Sequence, residues 1–80
     1  MMTHSRILWA CRRGMLELDL ILGAYAQNRY PSTSVENQQA FQALLDCQDQ
    51  ELFEWLVHQV QAPEVHQAMI RHVLNAREQG

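Results

Sequence analysis

The 80-residue sequence contains no lysine; all six of its basic residues are arginine, and the net charge is -3. Broad binding to nucleic acid or an anionic membrane needs a basic excess, so this balance argues against both. Arginine without lysine fits fixed, directional ion pairs, and arginine-rich coding bias produces the same count. Only three glycines and two prolines interrupt the chain, and no stretch alternates β-branched with polar residues, which removes the usual signals of strands and hairpins. There is no repeat, no low-complexity tract and no apolar run of the roughly 18 residues that a membrane helix requires. The start, "MMTHSR", is polar and carries no export signal, so a cytoplasmic location is expected. The two cysteines, Cys11 and Cys47, fit neither a CxxC nor a zinc spacing and are read as small buried hydrophobes in a reducing compartment.

What remains is a helical pattern with 48% hydrophobic and 19% charged residues, the composition of one small globular domain over residues 1–80. A first helix is expected from about Ser5 to Arg12, capped by Thr3 or Ser5, with Ile7, Leu8 and Cys11 inward. Gly14 suits the left-handed position past its end. A second helix is expected from Met15 to Arg29, with Met15, Leu18, Leu22 and Tyr25 along one face and Ile21 beside them. In "PSTSVENQQAF", Thr33 and Glu36 have capping-box spacing for a third helix ending near Asp46, with Phe41, Leu44 and Leu45 inward. Asp49 is expected to cap a fourth helix with the stripe Leu52, Phe53, Leu56 and Val60. Pro63 is expected as the first residue of a fifth, whose inward face is Val65, Met69 and Val73 with Ala68 and Ala76, and whose tail frays after Arg77, over about 78–80. The fold class is therefore all-α, a compact bundle of five short helices.

Catalytic constellations are scarce. His66 and His72 lie six residues apart and do not share a helix face as an i, i+4 metal pair does. Cys11, followed by two arginines, could be an activated thiolate, but it falls on the apolar face with Ile7 and Leu8, and packing is the better reading. The acids Asp46, Asp49, Glu51 and Glu54 form no loop with calcium-ligand spacing. No glycine-rich phosphate loop or dinucleotide fingerprint is present. No catalytic, cofactor-binding or metal-binding residue is assigned, and the chain is not expected to be an enzyme.

The unusual stretch is "CRRGMLELD", where arginines and acids interrupt an apolar run. Arginines at one helix end and acids at the next helix start suit the two helix poles. One reading is a braced corner in which Arg13 pairs with Glu17. The other is a partner-facing surface of Arg6, Trp9, Arg12, Arg13, Glu17 and Asp19, since tryptophan and arginine are frequent interface anchors. Trp9 and Trp55 also suit core or half-buried positions.

At these residues, "ILWACRRGMLELDLIL" resembles the signature of the flavinylation factor family, called SdhE in bacteria and succinate dehydrogenase assembly factor 2 in mitochondria. The RGxxE motif is present as Arg13-Gly14-Met15-Leu16-Glu17, and "LLDCQDQELFEWL", Leu44 to Leu56, is similar to the family's leucine pair, acidic turn and Leu-x-x-Trp-Leu helix. The resemblance spans about Arg6 to Leu56. It departs from the family pattern over "GAYAQNRYPST".

The resemblance implies a five-helix fold and an assembly factor. Its partner would be the flavoprotein subunit of succinate dehydrogenase and, in some bacteria, of fumarate reductase. FAD would become attached covalently to a histidine of that partner, and none would be held stably by this chain. Arg13, Gly14 and Glu17 would form the partner-facing motif, with Asp19 and Arg12 beside them and Arg6 and Trp9 as extensions. A monomer is expected. The alternative function is an antitoxin-like regulator of a small membrane-associated toxin. A free FAD carrier, which would be yellow when purified, is a third reading.

Overall fold

In the computed structural model, residues 3–79 are described, with side chains up to residue 76. Among the described residues there are five α-helices and no strand: α1 (His4–Ala10), α2 (Leu16–Asn28), α3 (Val35–Leu45), α4 (Asp49–Leu56) and α5 (Glu64–Gln79). A 3-10 turn, Tyr30–Ser32, follows α2 and contains Pro31, which cannot continue a helix. The tail expected to fray falls on residues whose side chains, together with all of Gly80, lie outside the described residues.

Helices this short are not stable alone in water, so tertiary packing must hold them. The centre is α2, which packs against α1, α4 and α5, while α3 and α4 also lean on α5. Ile7, Leu18, Leu22, Phe41, Leu44, Leu52 and Val73 are fully buried and belong to a single core. Tyr25 and Tyr30 flank Phe41, with ring centroids at 4.7 and 5.6 Å. The Tyr30 carbonyl accepts a hydrogen bond from Gln38 Nε2 (2.9 Å) and its hydroxyl one from Gln42 Nε2 (2.8 Å), which fastens the 3-10 turn to α3.

Local chemistry differs from the sequence reading in several places. Thr3 caps α1, its Oγ1 accepting from Arg6 N–H at 3.3 Å, but the helix ends at Ala10 and not at Arg12. Ser34 caps α3, accepting from Asn37 N–H at 3.1 Å, and Thr33 Oγ1 instead accepts from the Asn37 side chain. Gln48 occupies the N-cap of α4, and its N–H donates to Glu51 Oε1 (3.2 Å), so Asp49 is the first helical residue and its carboxylate is free for another role.

The expected inward faces of α4 and α5 also need correction. Val60 lies beyond α4, after Gln59 in a left-handed conformation (φ 57°), and is exposed. Pro63 precedes α5 and is not its first residue. The Gln67 side chain donates to the Ala62 carbonyl (2.8 Å) and fixes how α5 enters. That entry turns positions 66, 69, 70 and 73 toward the core, so Met69, Ile70 and Val73 are buried whereas Val65 and Ala68 face solvent.

Candidate functional site

The corner between α1 and α2 is built by residues of "CRRGMLELD". Gly14 takes φ 81°, the left-handed region that costs residues with a Cβ, and a Cβ there would meet no atom of the described residues within 4 Å. The requirement is therefore one of backbone conformation and not of space. Asp19, one turn into α2, reaches back so that Oδ1 accepts from Arg13 N–H (2.7 Å) and Oδ2 from Gly14 N–H (3.2 Å). Cys11 Sγ donates to the Leu22 carbonyl at 3.6 Å, closing α1 onto α2.

Arg13 does not pair with Glu17. Its guanidinium turns inward and joins three elements. Nε donates to the Ala10 carbonyl (2.8 Å) at the end of α1. Nη1 donates to the Cys47 carbonyl (3.2 Å) and to Asp49 Oδ1 (3.0 Å) at the α3–α4 junction. Nη2 donates to the Leu45 carbonyl at the end of α3. Helix ends leave carbonyls without partners, and one planar, multiply donating cation satisfies those of two helices here. The Arg13 side chain is only 14% exposed.

The remaining candidates face outward. Trp9 is 73% exposed, and Arg12 lies over its ring at 5.7 Å from the centroid, a cation–π contact. Arg6, one turn before Trp9, is exposed. Glu17 is exposed and makes no hydrogen bond or ion pair among the described residues. Leu16 and Leu20, which the sequence reading did not single out as surface, are 78% and 63% exposed on the same helix. The proposed residues thus divide: Arg13, Gly14 and Asp19 build the corner, while Arg6, Trp9, Arg12 and Glu17 are presented by it.

The structure agrees with packing for Cys11. It is buried, and loss of water pushes its thiol up to about 12, with Arg13 partly opposing and Asp19 adding to the rise. Trp55 is buried, unlike Trp9. A pairing missed by sequence reasoning joins Cys47 Sγ to His66 Nε2 at 3.4 Å across 19 residues; no local signal announces it. Burial, then the carboxylates of Glu51 and Asp46, raise the Cys47 thiol. Among the described residues no group of three or more His, Cys, Asp or Glu is placed to hold a metal ion, and no helix is long and apolar enough to cross a membrane.

Residues 5–77 match the family described as flavinator of succinate dehydrogenase. The chain belongs to this family. Within it, the chain is 46% identical over 61 residues to the FAD assembly factor SdhE of Shewanella oneidensis, covering 75% of this chain and 74% of that protein. It is 38% identical over 72 residues to the protein of the same name in Pseudomonas aeruginosa, covering 89% and 86%. For the Yersinia pseudotuberculosis protein the figures are 48% over 54 residues, 68% and 61%. The flavinator match takes in most of α5, beyond the stretch that the motifs alone cover.

Proposed function

We propose that this chain is a non-catalytic assembly factor that binds the flavoprotein subunit of succinate dehydrogenase in the cytoplasm and promotes covalent attachment of FAD to a histidine of that subunit. The fumarate reductase flavoprotein is a second partner of the same kind. The histidine belongs to the partner and FAD is cargo, so no residue of this chain forms the bond. Membership of the flavinator family and similarity to proteins named FAD assembly factor support the reading.

One observation of geometry carries it furthest: Glu17 is exposed, with no hydrogen-bond or ion-pair partner among the described residues, on a corner that Arg13 and Asp19 lock from within. A carboxylate and an arginine held outward on a fixed frame lose little freedom on docking. Docking there would hold the flavoprotein with its histidine and the flavin close together. Positioning alone supplies a large share of many rate enhancements.

The test is complementation of a bacterial strain lacking its own factor, read as in-gel flavin fluorescence of the succinate dehydrogenase flavoprotein. The wild-type chain restores covalent flavin, and Glu17→Ala lowers it about tenfold, the effect of one lost interface anchor. Full covalent flavin in the strain without any factor overturns the proposal. Co-purification of a small membrane protein in place of the flavoprotein would favour the antitoxin-like reading. The purified chain is expected to be colourless.

A further inference from the structure

Helix α2 is apolar on two sides. Leu18, Ile21, Leu22, Tyr25 and Ala26 face the core. Leu16 and Leu20 are exposed on the other side, and Gly23 follows at the next helical position of the same face. A groove of about 640 Å³ runs between this face and α1, with Leu8, Leu16, Leu20, Gly23 and Ala24 as its apolar lining. Arg12 and Asp19 line it toward the start of α2, and Gln27 and Asn28 toward the end.

Nothing among the described residues calls for glycine at position 23. It sits in the middle of a 13-residue helix without a positive φ, and a Cβ added there meets nothing among the described residues within 4 Å. Neither backbone conformation nor internal packing asks for glycine, and alanine is the better helix former. The remaining physical reason for glycine is close approach by something outside the chain.

Building on the proposed function, we infer that a helix of the flavoprotein crosses α2 in this groove, its backbone nearest Gly23 and Ala24, with a carboxylate meeting Arg12. Small residues at a crossing let two helices approach closely and pack their neighbours as ridges into grooves. The groove is continuous with the corner, because Arg12 both lines it and covers Trp9, and Leu16 adjoins Glu17. Asp19 is committed to the corner amides, so Arg12 is the charge left to recognise a ligand. Continuity with the proposed docking corner favours the same partner over a second copy in this groove.

The experiment measures the affinity of the full chain for the purified succinate dehydrogenase flavoprotein by calorimetry, beside melting temperature and sedimentation of the chain alone. Gly23→Ala should melt about 4–8 °C higher than wild type, as expected for removing a mid-helix glycine from a domain this small. Gly23→Leu should melt no lower than wild type, yet both should bind more weakly, the leucine variant by about tenfold or more. Leu20→Ala, which removes an exposed groove wall, should weaken binding about fivefold at unchanged melting temperature, and it keeps the test decisive if the leucine variant folds poorly. Wild-type binding with unaltered affinity in Gly23→Leu and Leu20→Ala overturns the groove and leaves the proposed function standing. No binding by the wild type overturns both. Self-association of the wild type that Gly23→Leu abolishes assigns the groove to a second copy and also overturns the inference.

Discussion

Arg13 and Glu17 are four residues apart in one motif, yet their physical roles are opposite. Arg13 satisfies carbonyls at the ends of two helices and pairs with Asp49, so its removal leaves several part-buried acceptors without a donor. Arg13→Ala should cost about 2–4 kcal/mol in urea unfolding, and Arg13→Lys should recover only part, because an ammonium cannot reproduce the planar fork. Glu17→Ala should leave unfolding within about 0.5 kcal/mol of wild type while lowering flavinylation. If both variants lost the same stability, the division of the motif into frame and presented surface would be wrong. Cys11 adds a pH dependence. An unperturbed thiol ionises near 9.0, and burial raises this one to about 12. Between those values the unfolded chain has released its proton and the folded chain has not. Stability is therefore full below the lower value and falls as pH rises through the window, by at most about 1.4 kcal/mol per pH unit from this group. Cys47 and Tyr25 are raised as well and act in the same direction. Urea midpoints measured from pH 8 to 11 should decline less steeply in Cys11→Ala than in wild type.

At the level of elements, Gly14 is the simplest to test. Its positive φ with open space around the missing Cβ means that Gly14→Ala imposes backbone strain and little else. A loss of about 1–2 kcal/mol in unfolding free energy is expected, with the helical circular dichroism of the folded state unchanged. The number and order of the helices were legible from periodicity and punctuation, since Gly14, Pro31 and Pro63 stand at real breaks. The caps were less so. In "PSTS" three hydroxyls compete for one position, and Ser34 takes it in a chain whose Tyr30 carbonyl is held to α3 by Gln38. Asp49 looks like a cap in isolation, but a guanidinium 36 residues earlier claims it, leaving the cap to Gln48 and Glu51. The rotation of α5, which buries Ile70 and exposes Val65, depends on the Gln67–Ala62 contact and has no signal in a helix where both faces carry apolar residues. The site was legible as a set of residues. Which of them point outward was not, because that depends on acceptors more than 30 positions away.

Taken as a whole, the molecule separates what holds it together from what it offers, and its two tryptophans lie on either side of that division. Trp55 is 8% exposed, in the core beside His66 with ring centroids at 5.5 Å. Trp9 is largely exposed on the proposed docking face, in contact with Arg12. Unfolding transfers Trp55 to water and changes the surroundings of Trp9 little; docking at the corner does the reverse. In a Trp55→Phe chain, the remaining fluorescence should scarcely move in wavelength through the urea transition, but should shift to the blue when the flavoprotein is added. In a Trp9→Phe chain, urea should bring a red shift and binding should leave the emission of this chain nearly unchanged. Trp9→Ala should weaken binding by about 2 kcal/mol, the scale of an interface anchor, without altering the urea midpoint of the free chain. A blue shift on binding in the Trp9→Phe chain and none in the Trp55→Phe chain would move the docking surface away from the corner. The opposite pair of results ties partner binding to the face that Arg13, Gly14 and Asp19 hold in place.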